Sequence, residues 1–239
     1  MTDGDGYFGE RVAARYDESS GEMFAPAAVD PAAGFPAGLA GDGRALELGI
    51  GTGRIALPLA ARGVPVHGID VSRAMVARLR AKPGGIGDFA TTKVDGDFSL
   101  AYLVFNTIMN LTTQDAQVDC FRNVAGHLSP GGCFVVEVLV PELRKLPAGQ
   151  RLVPFRATAT HWEFDAYDVA TQAMSSNYVE VEDGRGSFRS VPFRYVWPAE
   201  LDLMARLAGL RLQERWEDRD RSPFTNESGH HGSVREKPV

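Results

Sequence analysis

The chain has 239 residues, of which 25 are basic, 31 acidic and 44 % apolar, for a formal net charge of −6. Those values fit an ordinary globular protein and exclude a disordered, collagen-like or disulfide-scaffold chain, and the length allows one large domain or one with a modest insertion. The acidic balance removes the long-range attraction that draws proteins to polyanions and anionic membranes, so neither nucleic acid nor membrane is the expected partner.

Met1 to Gly6 lacks the basic and apolar stretches of a secretory signal, and no apolar run approaches the roughly 20 residues that span a bilayer. Cys120 and Cys133 lie in apolar stretches without CxxC or metal-ligand spacing. A cytoplasmic protein without a bound metal is the expectation. Glu10–Asp17 reads as a short helix. Pro26, Pro31 and Pro36 follow at five-residue intervals, which suits turns and helix first turns rather than one long helix.

Arg44–Leu48 is an apolar run ending in Gly49-Ile50-Gly51-Thr52-Gly53, and Arg54–Arg62 then reads as a helix bent at Pro58. Val64–Ile69 is a second run ending at Asp70, after which Ser72 caps a helix over Arg73–Lys82. Lys82-Pro83-Gly84-Gly85 leaves only Ile86 before Gly87-Asp88-Phe89, too little for a normal strand of roughly 5–6 residues. A strand over Phe98–Phe105, a helix over Asp115–Leu128, a turn at Pro130-Gly131-Gly132 and a strand over Cys133–Val140 complete the alternation. Strands alternating with helices imply βαβ units and a parallel sheet covered on both faces. From Phe155 to Trp197 the chain is β-rich. Asn177–Glu182 alternates, Asp183-Gly184 signals a hairpin, and Ser187–Trp197 returns. Pro198–Leu207 reads as a helix, and Leu210–Trp216 and Gly232–Glu236 as two closing strands.

The glycine turn carries the chemistry. Alternate glycines between strand and helix let the backbone approach a ligand, and the helix start offers unpaired N–H groups. Asp70 follows about 20 positions later, where a carboxylate can accept hydrogen bonds from ribose hydroxyls. The pattern points to a nucleoside. A dinucleotide fingerprint would need a small residue where Arg54 stands.

The order Glu47, Gly49-x-Gly51-x-Gly53, Asp70 and Gly87-Asp88-Phe89 resembles the class I S-adenosylmethionine-dependent methyltransferases over roughly Gly43 to Val140. That resemblance implies an α/β fold: a Rossmann-like, doubly wound, mostly parallel seven-stranded sheet with a terminal antiparallel hairpin and a β-rich insertion. It implies S-adenosyl-L-methionine as cofactor. Gly49, Gly51 and Gly53 would line its methionine part, Glu47 would hold the loop or reach the amino group, and Asp70 would take the ribose. Asp88 and Phe89 would meet the adenine, with further contacts from Tyr16, Val71, Phe105 and Asn106. The implied organisation is an N-terminal helical lid over 1–42 bearing Tyr7, Phe8 and Tyr16, and a cofactor-binding core over 43–140. A β-rich insertion on the acceptor side follows over 141–197, and 198–239 completes the core.

The cofactor brings the activation in methyl transfer, so the protein chiefly positions, sometimes with a base. Asn106, Thr107 and Asn110 follow the third strand, a place that in the family lies beside the transferred methyl; Asn106 could equally cap the chain there. Phe105-Asn106-Thr107-Ile108 replaces the Asn/Asp-Pro-Pro-Tyr element of members that methylate nucleic-acid bases or glutamine. His161 in the insertion and His230 and His231 in the last strand are candidate bases, while His127 reads as a surface structural residue. The expected acceptor is a small molecule with a nitrogen or oxygen nucleophile. Trp162, Phe164, Tyr167 and Tyr178 would surround an amine or an aromatic hydroxyl equally well. Aminosugar N-methyltransferases carry a comparable insertion, and the free edges of its strands offer a way to pair two copies as a homodimer. The alternatives are an NAD(P)-dependent oxidoreductase and a non-catalytic nucleoside-binding module.

Overall fold

A computed structural model describes residues 6–14, 16, 25–79 and 84–239. Five strands alternate with helices in the first half: β1 (Ala45–Leu48), β2 (Val66–Asp70), β3 (Gly84–Ile86), β4 (Phe98–Leu103) and β5 (Leu128–Leu139). Then come β6 (Leu152–Ala157), β7 (His161–Tyr167), β8 (Ala173–Glu182) and β9 (Arg185–Arg194), and finally β10 (Arg211–Trp216) and β11 (His230–Glu236). The helices are α1 (Glu10–Ala13), α2 (Pro26–Ala40), α3 (Ala56–Ala61), α4 (Arg73–Val76), α5 (Gln114–His127) and α6 (Pro198–Leu207).

The main sheet has the order β10-β11-β5-β4-β1-β2-β3. Neighbours from β5 through β3 are parallel, and the β10–β11 hairpin closes the other edge antiparallel to β5. The pleat of β4 shows why both faces are covered. Leu100 and Tyr102 join a buried cluster with Ala32, Ala33 and Ala40 of α2 and Leu59 of α3, whereas Ala101 and Leu103 join one with Phe121 and Val124 of α5 and Met204 of α6. Helices on both faces make the sheet doubly wound. None of the described helices is long and apolar enough to cross a membrane.

Several expectations change. The three prolines do not break the N-terminal stretch: Pro26–Ala40 is one helix with Pro31 and Pro36 inside it. Each internal proline forfeits a backbone bond, yet the helix keeps its place, with Ala32, Ala33 and Ala40 buried against the sheet. The helix after the glycine turn starts late, at Ala56, so Pro58 falls in its first turn, where a missing N–H costs nothing. The third strand survives as a stub. Gly84, Gly85 and Ile86 pair in parallel with Gly68, Ile69 and Asp70. β5 begins directly at Leu128, and a register shift against β4 between Phe98 and Leu100 takes up the Pro130–Gly132 turn. The helix expected over Arg73–Lys82 ends at Val76, and residues 80–83 and Asp17 lie outside the described residues.

β6 to β9 form a second, antiparallel sheet in sequence order, with Asp183 (φ 49°) and Gly184 (φ 74°) in the expected hairpin turn. Its base shares the main core through Val153, Tyr167 and Met174. A buried polar knot fastens it there. The Arg194 guanidinium donates to Gln117 Oε1 of α5 (2.6 Å), Gln172 Oε1 (3.0 Å) and Glu200 Oε1 of α6 (2.7 Å).

Candidate active site

The turn after β1 depends on glycine for sterics as well as flexibility. Gly49 has φ 74°, and a Cβ there would lie 2.6 Å from Thr107 Cγ2. At Gly53 (φ 86°) a Cβ would overlap Leu79. Asp70, at the end of β2, holds the turn from below: its Oδ2 accepts from Gly51 N–H and its Oδ1 from Ser72 N–H, both at 2.8 Å. Ser72 accepts in turn from Met75 N–H and donates to the Phe8 carbonyl at 2.6 Å, so the N-terminal segment is tied to the same corner.

Glu47, two residues before the turn, is 5 % exposed. Tyr102 O–H donates to its Oε2 at 2.9 Å. Burial pushes its carboxyl up to about 8, against the lowering effect of the Tyr102 hydrogen bond and the Arg54 charge. After β4 the chain makes a strained corner in which two successive non-glycine residues, Phe105 (φ 55°) and Asn106 (φ 64°), are left-handed. Such residues cost about 1–3 kcal/mol each and persist where the surroundings over-determine them. Here Asn106 N–H donates to the Glu137 carbonyl, and Asn106 Oδ1 accepts from Leu139 N–H at 2.7 Å. The guanidiniums of Arg54 and Arg219 lie 3.7 and 4.9 Å from the centre of the Phe105 ring. Arg219, from the loop before β11, also makes a two-pronged ion pair with Glu137 (2.8 and 3.0 Å).

These parts enclose a cavity of about 340 Å³. One wall is the main sheet's carboxyl edge, with Glu47, Gly49, Gly51, Arg54, Phe105, Asn106 and Asn110. Phe8 and Tyr16 stand at its N-terminal side. The facing wall is the second sheet, whose inner face presents Asp165, Ser176, Met174, Tyr178 and Phe193, joined by Phe155. Ser176 O–H donates to Asp165 Oδ1 at 2.7 Å, and burial raises the Asp165 carboxyl above its ordinary value.

A methyltransferase-domain family model matches residues 45–132. Over nearly its whole length the chain is similar to the CcbJ methyltransferase of Streptomyces caelestis, at 36 % identity, covering 97 % of this chain and 98 % of that one, with a TM-score of 0.83. The chain belongs to the S-adenosylmethionine-dependent methyltransferases. The cypemycin N-terminal methyltransferase of a Streptomyces species is 28 % identical over 219 residues, which is 82 % of this chain and 87 % of that protein. CalS10 of Micromonospora echinaspora, solved with S-adenosylmethionine bound, shares the fold at a TM-score of 0.63, with 20 % identity over 87 % of this chain and 89 % of that one.

The nicotinamide-dependent and non-catalytic readings give way to the methyltransferase family. Arg54, the residue that argued against a dinucleotide turn, packs on Phe105 at the cavity. The donor set suits a ligand carrying both charges. A buried carboxyl and a guanidinium, Glu47 and Arg54, share one wall with the backbone of the glycine turn.

The structure gathers Tyr16, Glu47, Gly49, Gly51, Phe105 and Asn106 around this methyltransferase's cavity. Gly53, Asp70, Val71, Asp88 and Phe89 lie outside its walls. Val71 and Asp88 are exposed, Asp88 Oδ1 accepts from Ala90 N–H, and Phe89 is buried. Two of the three candidate catalytic residues are displaced. His231 is fully buried: the β11 pleat turns it inward, where Nδ1 shares a hydrogen bond with Ser233 Oγ (2.9 Å) and the ring packs on Phe224. Burial, helped by Arg215 and Arg235, pushes its pKa down to about 3, so it stays neutral. His161 lies on the inner face of β7 but four residues from Asp165, about 13 Å along a strand, where it pairs with Glu180 at 3.1 Å beyond the cavity walls. His127 is buried rather than on the surface. Its Nε2 accepts from Val94 N–H, so its Nδ1 donates to the Asn123 carbonyl.

Asp165, Ser176 and Arg219 were not visible as site residues in the sequence. The alternation Trp162-Glu163-Phe164-Asp165 does mark Asp165 as facing away from an aromatic side. Its arrival at the cavity depends on how the second sheet docks, which no local pattern records.

Proposed function

We propose that the protein transfers a methyl group from S-adenosyl-L-methionine to a nitrogen or oxygen nucleophile of a small-molecule acceptor held between the two sheets. The observation that carries this reading is the cavity itself, bounded by the glycine turn and Glu47 on one side and by the inner face of the insertion on the other. Its volume lies in the range of small-ligand sites, about 300–1,000 Å³.

In this reading the cofactor, when bound, supplies an electrophilic methyl group on a sulfonium. The backbone from Gly49 to Gly53 lies along its methionine part, Arg54 takes the carboxylate and Glu47 the ammonium, whose positive charge favours loss of the proton that burial keeps on the Glu47 carboxyl in the free protein. Asp70 offers its remaining lone pairs to the ribose hydroxyls. Val71, Asp88 and Phe89 flank the adenine, while Tyr16, Phe105 and Asn106 close the reacting end. The over-determined Phe105-Asn106 corner keeps the position beside the methyl rigid, which favours in-line geometry. Small acceptors are also named for structural relatives: an amino pentose methyltransferase and a glycopeptide N-methyltransferase.

Calorimetric titration with S-adenosylhomocysteine, followed by mass-spectrometric detection of methyl transfer to a panel of small amines and phenols, tests the reading. The expected result is saturable binding and a mass gain of one methylene unit on at least one acceptor. Absence of binding by folded protein overturns it.

A further inference from the structure

The second sheet brings one carboxylate to the cavity that is not matched by a counter-charge. On its inner face, going outward, Arg156 is committed to Glu163 (3.2 Å), Arg189 lies over the Tyr178 ring (4.3 Å) and His161 pairs with Glu180. Among the described residues no cationic side chain makes an ion pair with Asp165, the only carboxylate that this sheet contributes to the cavity walls. One of its oxygens is fixed by Ser176, directly opposite it in the β7–β8 register. Phe155, Tyr178 and Phe193 line the same cavity as aromatic walls. A half-buried, unpaired carboxylate with aromatic faces beside it is a receptor for an organic cation.

We infer that Asp165, oriented by Ser176, receives the protonated nitrogen of an aliphatic amine acceptor and takes its proton before methyl transfer. This rests on the methyltransfer reading above and narrows its acceptor to primary or secondary amines. Charge separates the nucleophile classes: an aliphatic amine arrives as a cation that the carboxylate can pair with, whereas an alcohol or a phenol arrives neutral. An alkylammonium of pKa about 10 lies roughly six units above an ordinary carboxyl, and an aliphatic hydroxyl near 16 lies about twelve above it. The raised pKa of Asp165 narrows the first gap further. The step balances: the ammonium gives one proton to Asp165, and the freed lone pair forms the N–C bond to the methyl. The C–S bond breaks with its electron pair returning to sulfur, giving S-adenosylhomocysteine and a methylated ammonium. The Asp165 proton then leaves to solvent. Other titratable groups face the same space: Glu163 and Tyr167 on β7, Tyr178 on β8, and Tyr16, Glu47 and Arg54 across the cavity.

The test uses the full-length protein saturated with S-adenosylhomocysteine and matched probe pairs: cyclohexylamine and cyclohexanol, glucosamine and glucose, and pyrrolidine and tetrahydrofuran. In the unaltered protein the amine of at least one pair should bind at least about tenfold more tightly than its partner, the factor expected when a charge-assisted hydrogen bond is made. Asp165→Asn should abolish that preference and Ser176→Ala reduce it, with S-adenosylhomocysteine affinity unchanged in both. For any probe that turns over, the acidic limb of the kcat/KM pH profile should move up toward the amine's own pKa in Asp165→Asn, since only the free amine then reacts. An unaltered preference in that variant, equal binding of amine and alcohol, or no amine binding anywhere in the panel overturns the inference. Failure to bind S-adenosylhomocysteine in the unaltered protein would instead count against methyl transfer itself.

Discussion

Glu47 links the site to the protein's response to pH. Its carboxyl holds a proton to about pH 8 in the folded chain, against an ordinary value of 4.5. Between those values the folded state binds more protons than the unfolded one, so stability falls as pH rises. The contribution is whole below pH 4.5 and lost above about 8. Glu47→Gln keeps the Tyr102 contact without the ionisation. Its melting temperature relative to the parent, followed by circular dichroism, should therefore climb from pH 5 to about pH 8 and level off above it; a constant offset would show that Glu47 titrates normally. At this scale the sequence was informative about residues whose role is set by near neighbours. Glu47, Gly49 and Asp70 stand at fixed offsets from one turn. Phe105 and Asn106 were marked by position alone, since their left-handed conformation depends on Leu139, Glu137 and Arg219, remote in the chain.

Elements repeat that division. The helix at Pro198–Leu207 has the boundaries that the sequence predicts, because Pro at its start and Gly209 after its end are local signals. The α2 helix departs from its proline signals, because Ala32, Ala33 and Ala40 pack against a sheet whose position no local pattern records. The β3 segment is shorter than a usual strand, yet its two glycines and Ile86 find partners on the edge of β2. The Arg194 knot had no sequence signal at all, since its four side chains come from β9, α5, α6 and the turn before β8. Arg194 is 5 % exposed, and its removal leaves Gln117 Oε1 without its donor and Glu200 with only the uncharged donors of Gln114 and Gln172. Arg194→Ala should cost about 3 kcal/mol, the lower end for breaking a buried pair, measured by urea unfolding. A loss below about 1 kcal/mol would show that the knot is replaced by water.

For the whole molecule, the shared core decides cooperativity. Val153, Tyr167 and Met174 of the second sheet are buried in the same cluster as Phe121 and Phe134. Thermal unfolding should therefore be one transition, with coincident far-ultraviolet circular dichroism and calorimetric curves and equal calorimetric and van't Hoff enthalpies. Two separated transitions would make the insertion an independent domain.

The placement of the knot has a mechanical consequence. The β8–β9 hairpin is anchored at Ala173 and Arg194 and runs 10 residues to its tip, about 33 Å of strand. A tilt of 5° about the anchor would swing the tip by roughly 3 Å, but Ser176, only three residues along, by less than about 1 Å. Because β7 is paired with β8 from Met174 to Glu180, it would turn with the hairpin, and the sheet would act as one lever whose fulcrum sits beside the carboxylate: displacement accumulates at the far end while Asp165 and Ser176 hold their aim.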